Sequence, residues 1–242
     1  MGIIRRIHKW LSVIVAIQLL IWLISGLFFN LMDGAKAKGR TYQNTEIKHI
    51  EFDLSKFIEP KAILQQSKRP VVSIEQTQLL DKPYYLLTHK QGLYKHFKNE
   101  YSLIDAYNGS EFKVTKSIAT KLALESYAGK GKVVDVTLIN GRLDEYPKQQ
   151  NASWRINLND DINTSVYIQA NSGRIVGHSD DHKRFADLMF KLHFMDYANK
   201  GSFNNIQIML FAFITLWLTL TGIIWTIYLG VKGQYKLVFF KK

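Results

Sequence analysis

The sequence predicts an α+β membrane protein in which two transmembrane helices flank a central domain of two helix-plus-antiparallel-sheet repeats. Three observations lead to this prediction. An uncharged apolar run lies near each end of the 242-residue chain, the stretch between the runs has ordinary globular composition, and that stretch contains an internal repeat. A stretch of this length is long enough to bury a hydrophobic core of its own.

The two apolar runs are long enough to cross a bilayer. The first extends from Trp10 to Met32 and the second from Ile206 to Val231, and neither contains a charged residue. Each exceeds the roughly 20 residues that a helix needs to span the hydrocarbon core. A signal peptide cleaved near Ala35-Lys36-Ala37 is the alternative for the first run, but a signal-peptide core has only about 7–15 apolar residues. We therefore expect two transmembrane helices.

The charge distribution predicts how these helices are oriented. The two tails carry only cations, at Arg5, Arg6, Lys9, Lys232, Lys236, Lys241 and Lys242, whereas all 20 acidic residues lie between the apolar runs. Short basic tails stay in the cytoplasm, so both termini are expected there and the central domain on the opposite side. The net charge of +12 reflects this topology, and we expect no binding to nucleic acid.

The chain contains no cysteine, which excludes several kinds of redox centre. Disulfides, thiolate zinc sites, iron–sulfur clusters and covalently attached c-type haem all require cysteine. A redox centre in this protein would therefore be held through histidine, methionine, tyrosine or carboxylate side chains.

The central domain repeats a short motif at a spacing of 64 residues. Ile104-Asp-Ala-Tyr-Asn-Gly109 matches Ile168-Gln-Ala-Asn-Ser-Gly173, and in each copy a strand pattern runs into a turn whose glycine would supply a positive φ. Helix-like stretches precede the two copies at 60–66 and 117–127, and KPYYLLTHK and ASWRINLND have the composition of strands. The pattern predicts two copies of a small helix-plus-antiparallel-sheet unit.

These features divide the chain into six segments. The predicted segments are a cytoplasmic tail with the first transmembrane helix (1–32), a first repeat (33–116), a second repeat (117–180), an amphipathic interfacial helix (181–205), the second transmembrane helix (206–231) and a basic cytoplasmic tail (232–242).

Four short motifs in this order resemble the PepSY-associated transmembrane proteins. They are Ile7-His8-Lys9-Trp10-Leu11, Ser25-Gly26, Leu192-His193-Phe194 and Thr221-Gly222. The repeats resemble PepSY domains, in which a helix precedes three strands. Relatives include bacterial inner-membrane reductases that deliver electrons to ferric iron or ferric siderophores on the periplasmic side, so the resemblance implies an inner-membrane protein with a periplasmic domain. Many relatives have four spans and this chain has two, which implies a homodimer.

The resemblance implies haem ligands at both membrane edges. His8 and His193 are the expected axial ligands of haem b, Arg5, Arg6 and Lys9 would pair with its propionates, and Gly26 and Gly222 would give the macrocycle room against the helices. The alternative is that the histidines are ordinary interfacial residues and the glycines serve helix packing.

A second group of candidate ligands lies before the second span. His178 and His182 stand four residues apart, the spacing at which two side chains share a helix face, so they could bind a metal ion. The alternative is a simple helix start with Ser179 as the N-cap and Asp180 and Asp181 in the first turn.

The expected function is a haem-dependent ferric reductase, an oxidoreductase. We expect membrane quinol or a separate reductase as the electron donor, because no G-x-G-x-x-G motif follows a strand and the tails are too short for a flavin or nicotinamide domain. Two alternatives stay open: a membrane-anchored binding or regulatory module without redox chemistry, and an accessory subunit of a larger reductase.

Overall fold

The computed structural model describes residues 2–46 and 50–233, with side chains from residue 6 onward. The side chain of Arg5, and also His49, Lys236, Lys241 and Lys242, lie outside the described residues. The chain forms two compact units. We call Met32–Leu188 the central unit, and we call Met1–Leu31 together with Met189–Lys242 the helical unit.

Five α-helices and eight strands make up the described chain. The helices are α1 (Gly2–Leu31), α2 (Pro60–Gln66), α3 (Lys116–Glu125), α4 (Asp181–His193) and α5 (Ile206–Val231). The strands are β1 (Ser73–Leu79), β2 (Lys82–Lys90), β3 (Glu100–Asp105), β4 (Glu111–Phe112), β5 (Val133–Ile139), β6 (Ser153–Leu158), β7 (Ser165–Gln169) and β8 (Ile175–Ser179). Short 3₁₀ turns lie at Lys36–Lys38 and Leu54–Lys56.

The helical unit is built on α1 and α5, which are long and apolar enough to cross a membrane. Val15 of α1 packs with Phe211 and Leu218 of α5, and most other apolar side chains of both helices are exposed, as suits helices that face lipid. Gln18 is the one buried amide in the first span. Its side chain donates to the Leu192 carbonyl and accepts from the Tyr197 hydroxyl, which satisfies its polar atoms.

The central unit contains two antiparallel four-stranded sheets, in the orders β1-β2-β3-β4 and β5-β6-β7-β8. The sequence repeat coincides with the end of β3 in the first sheet and the end of β7 in the second. Gly109 and Gly173 both have a φ of +69°, which confirms the glycine turns that the repeat predicted. Each sheet has one strand more than the three that the resemblance implied, because β4 and β8 return after those turns.

The two helices of the central unit cover the sheets unequally. Ala119, Leu122 and Ala123 of α3 pack in a single core with residues of both sheets, including Tyr84 and Ile156. Helix α2 contributes one buried residue, Ile63, to a smaller core on the opposite face of the first sheet. The first sheet is therefore buried on one face and only partly covered on the other.

The helix before the second span is shorter than the interfacial helix expected at 181–205. Helix α4 ends at His193, and the chain then turns, with a positive φ at Met195 and Asn199. The buried Asp196 carboxylate accepts from the backbone N–H groups of Lys200 and Gly201 and so holds this turn. Asn205 then caps α5 by accepting from Ile208 N–H.

Candidate functional site

His8 lies within the first turns of α1 and contacts the far end of α5. Its Nδ1 is 3.1 Å from the Thr221 hydroxyl oxygen. That hydroxyl also lies 2.8 Å from the Trp217 carbonyl of its own helix. A hydroxyl has one hydrogen, and here it goes to the carbonyl oxygen, which can only accept. The imidazole Nδ1–H is therefore the donor toward Thr221, and the neutral ring carries its proton on Nδ1.

His193 repeats this arrangement at the other end of the helix pair. Its Nδ1 is 2.8 Å from the Ser25 hydroxyl oxygen, and that hydroxyl lies 2.7 Å from the Ile21 carbonyl. The same assignment of the single hydroxyl hydrogen makes His193 Nδ1–H the donor. Ser25 is 1% exposed, so this hydrogen bond is enclosed by protein.

The two hydrogen bonds leave the other ring nitrogen of each histidine free. Among the residues that the structure describes, Nε2 of His8 and Nε2 of His193 make no hydrogen bond, and both rings are half-buried. A neutral imidazole held through Nδ1–H and open at Nε2 is the form that binds a metal ion, and such a hydrogen bond fixes both tautomer and ring orientation. Both histidines are therefore candidate ligands.

A tryptophan on the same helix as the hydroxyl residue lies near each histidine. The ring centroid of Trp217 lies 6.1 Å from that of His8, and the centroid of Trp22 lies 6.2 Å from that of His193. Each tryptophan precedes the hydroxyl residue by one helical turn. The recurring pattern is therefore Trp, then Ser or Thr one turn later, then Gly. This pattern is the signal that could have identified the partners of the histidines, and sequence reasoning missed it.

The two glycines border open space in the single chain. A Cβ added at Gly26 would meet His193 Cε1 at 4.0 Å, and a Cβ added at Gly222 would meet nothing within 4 Å. Gly26 therefore lies beside His193, and Gly222 follows Thr221, the partner of His8. Flat surfaces beside both histidines leave room for a planar group against the helices.

Aromatic side chains surround His193 more closely than His8. Phe29 and Phe194 lie with their ring centroids 5.2 Å and 5.0 Å from the His193 ring. Phe29 also stacks on Phe190 at 4.5 Å. The surroundings of His193 are therefore apolar and aromatic. His8 instead has cations as neighbours in α1, and of these Arg6 and Lys9 are exposed.

The two histidine sites are too far apart to hold one metal ion together. His8 and Ser25 are 17 residues apart in α1, which corresponds to a rise of on the order of 25 Å. His193 lies against Ser25, so its ring is separated from His8 by about that length of helix. Each end of the helix pair offers one histidine per chain.

The arrangement predicted for His178 and His182 is wrong, because the two residues do not share a helix. His178 lies in β8 and His182 is the second residue of α4. The alternative also needs correction, since the residue that caps α4 by accepting from Lys183 N–H is Asp180 and not Ser179. No group of three or more His, Cys, Asp or Glu residues suited to a metal ion occurs in the described chain.

His178 is instead a buried structural residue of the central unit. Its side chain is 2% exposed, and its Nε2 lies 2.9 Å from the Ser126 hydroxyl, which donates to the Ala123 carbonyl. Burial lowers the pKa of His178 to about 4, against an opposing effect of nearby Asp180. The ring is therefore neutral at ordinary pH and has no open side for a ligand.

Comparison with known proteins identifies a family for nearly the whole chain. The sequence model of the PepSY-associated TM region matches residues 2–227, which include the first span, both histidine sites, the two repeats and all but the last four residues of the second span. No match was found among curated proteins, and none among solved structures.

Proposed function

The chain belongs to the PepSY-associated TM region family, and from this premise we propose that it is a b-type haem protein of the bacterial inner membrane. In this proposal it passes electrons across the membrane to reduce ferric iron, free or chelated, on the periplasmic side. Its termini are cytoplasmic, its central unit is periplasmic, and it acts as a homodimer.

One observation supports the proposal above all others. The hydroxyls of Thr221 and Ser25 hold His8 and His193 through Nδ1, at opposite ends of one helix pair, with Nε2 free in both rings. An interfacial histidine without a further role needs no such fixed tautomer. A candidate ligand at each end of the two spans suits transfer of electrons from one face of the membrane to the other.

The residues around the two rings fit a flat, iron-containing group. His8 and His193 would hold the group through Nε2, and Gly26 and Gly222 leave the adjacent helix surface without a side chain. Arg6 and Lys9, with Arg5, would pair with the propionates beside His8. Bound in this way, haem b supplies reversible one-electron transfer between ferric and ferrous iron.

The separation of the two histidines explains why the proposal includes a dimer. One chain provides a single histidine at each end, while a two-fold dimer would provide two at each end inside a four-helix bundle. Thr221 and Ser25 would keep every ring in the same tautomer. Trp22 and Phe29 would exclude water from the site of His193. Membrane quinol or a separate reductase would be the electron donor.

The visible absorption spectrum of the detergent-purified chain tests the proposal directly. Protein made in haem-replete cells should show a Soret band that shifts on reduction by dithionite, with sharp α and β bands typical of low-spin haem with two axial ligands. Native mass spectrometry of the same sample should give two chains with two haems.

A spectrum without haem bands would contradict the proposal. It would favour a membrane-anchored binding or regulatory module, in which both histidines are interfacial residues. Haem bands without ferric reduction by the purified chain and an artificial electron donor would favour an accessory subunit of a larger reductase. These two outcomes separate cofactor binding from catalysis.

A further inference from the structure

Helix α2 leaves one end of the first sheet uncovered, because α2 is shorter than α3. Helix α2 has 7 residues and helix α3 has 10. Where α2 ends, at Gln66, a cavity of about 520 Å³ opens over the sheet. A cavity of this size lies within the range of sites for small molecules.

The strand register identifies which residues of the two sheets are equivalent. Leu87 pairs with Ser102 in the first sheet, as Ile156 pairs with Val166 in the second. The next residue on the same face of each strand is His89 in β2 and Leu158 in β6. The second sheet therefore has two buried apolar residues at the positions where the first sheet has His89 and Ser102.

His89 and Ser102 belong to a chain of hydrogen bonds that begins at Arg69. The Arg69 guanidinium donates to the Ser102 hydroxyl at 2.7 Å, and His89 Nε2 lies 3.0 Å from the same hydroxyl oxygen. His89 Nδ1 lies 3.0 Å from the Pro70 carbonyl, which can only accept. Nδ1–H therefore donates to Pro70, Ser102 donates to Nε2, and both nitrogens of the His89 ring have a partner.

This chain of hydrogen bonds fixes the guanidinium at the edge of the cavity. Ser102 is 8% exposed and forms part of the floor, whereas the Arg69 side chain is 50% exposed and has further N–H groups to offer. Its Glu100 partner is at 3.9 Å, too long for a hydrogen bond. His89 lies where the pairing of β2 with β3 shifts register, an irregularity that often redirects a side chain at a binding site.

The rest of the lining is an apolar floor and a polar rim formed by Gln66, Ser67, Lys68 and Glu111, so that its two cations, Lys68 and Arg69, outnumber its one carboxylate. Ile63 and Leu87 are each 2% exposed and underlie the cavity together with Ile104. Lys68 lies beside Arg69 on the rim. An apolar floor next to a fixed, planar, positively charged donor suits a ligand that has both an apolar body and a carboxylate, because a guanidinium can bind carboxylate through two hydrogen bonds.

We propose that this cavity of the first repeat binds a small organic carboxylate with an apolar body, held by Arg69. This site is separate from the histidine sites and adds a binding activity to the central unit. The carboxylate accepts from Arg69, with Lys68 adding attraction, and the apolar body covers Ile63, Leu87 and Ile104.

Equilibrium dialysis of the full chain in detergent tests this site with radiolabelled benzoate, and empty micelles serve as the blank. Neutral benzamide has the same shape and should bind at least about tenfold more weakly, since a hydrogen bond to a charged group contributes about 1.5–3 kcal/mol. Arg69→Gln should weaken benzoate binding by a similar factor. Arg174→Gln is the matched control, because Arg174 lies outside the cavity and bonds to Gln169 and the Lys95 carbonyl. It should leave binding unchanged.

A second variant separates loss of the site from loss of the fold. Gln66→Trp keeps Arg69 and fills the mouth of the cavity, so it should also abolish benzoate binding while the melting temperature stays near that of the unaltered chain. The proposal is overturned if benzoate does not bind at millimolar concentrations or binds no better than benzamide. Retention of binding by Arg69→Gln, or equal affinity for inorganic phosphate, would also overturn it.

Discussion

The helical unit and the central unit each hold a histidine against a hydroxyl that already donates to its own helix. In the central unit the hydroxyl of Ser126 meets Nε2 of His178, and the remaining Nδ1 is buried without a partner among the described residues. In the helical unit the hydroxyls meet Nδ1 of His8 and His193, and Nε2 stays open. The same pairing of side chains thus gives one enclosed ring and two accessible rings.

Accessibility of the second nitrogen, and not the hydrogen bond itself, distinguishes the proposed ligands His8 and His193 from the core residue His178. The His178 ring is 2% exposed, so nothing can approach it without unfolding. His8 and His193 are half-buried and lie beside glycines that border open space. Four predictions follow this comparison from ligand binding to folding stability.

The largest effect is expected when the ligands themselves are removed. In the proposed homodimer, His8→Ala and His193→Ala should each abolish one of the two proposed haems and leave the other, because the two sites are separated by on the order of 25 Å of helix. The pyridine haemochrome assay, expressed per chain, measures the loss. His182→Ala is the matched control, since His182 is exposed in α4 and should leave haem content unchanged. Full haem content in both ligand variants would refute the assignment.

The next effect concerns the space beside each histidine. Gly222→Leu should remove the haem at His8, and Gly26→Leu the haem at His193, because a leucine side chain would occupy the surface that the macrocycle needs. Neither change should lower the helix content measured by circular dichroism, since among the described residues a Cβ at Gly222 meets nothing within 4 Å and a Cβ at Gly26 meets only His193 Cε1 at 4.0 Å. Loss of the dimer with haem still bound would instead assign these glycines to helix packing.

A smaller effect is expected from the hydroxyls that set the tautomer. Ser25→Ala and Thr221→Val should weaken haem binding by about 10–100-fold, the usual cost of losing a partner behind a metal ligand. Ser25→Ala should have the larger effect, because Ser25 is buried and the orphaned Nδ1–H of His193 would lack water.

Haem titration of the apoprotein measures both affinities. Thr219→Val is the matched control, because the Thr219 hydroxyl donates to the Thr215 carbonyl of its own helix. It should bind haem like the unaltered chain. Equal affinities in all three variants would mean that the hydroxyls serve the helices alone.

These roles show how far the sequence could predict the molecule. The two spans, the repeat and its two glycine turns follow from local patterns, and the structure confirms them. The partners of His8 and His193 do not, because each pair joins residues more than 160 positions apart and depends on how α1 and α5 pack.

The errors at His178 and His182 and at the end of α4 have a related cause, since both misplace the end of an element. The alternation of β8 continues through His178, but a helical spacing of four residues was read across the strand's end. The helix predicted at 181–205 is longer than α4. Residues 181–200 contain no proline or glycine to indicate where the helix ends, and the turn depends on the buried Asp196 carboxylate.

The last prediction tests the enclosed ring by titration. The pKa of His178 is about 4 in the folded chain and 6.5 as its ordinary value. Above pH 6.5 the ring is neutral in both states. As the pH falls from 6.5 toward 4, the unfolded chain binds the proton first, so the free energy of unfolding should decrease by about 3 kcal/mol over that range. His178→Leu should remove that part of the pH dependence, even if its stability at pH 7 is lower.

Denaturant unfolding of the full chain at pH 7 and pH 4 measures this difference for each variant. His182→Leu is the control for replacing a histidine by leucine, since His182 is exposed. If His178→Leu keeps the full dependence, the ring must gain its proton without unfolding. His178 would then be accessible like His8 and His193, and the contrast between the two units would no longer hold.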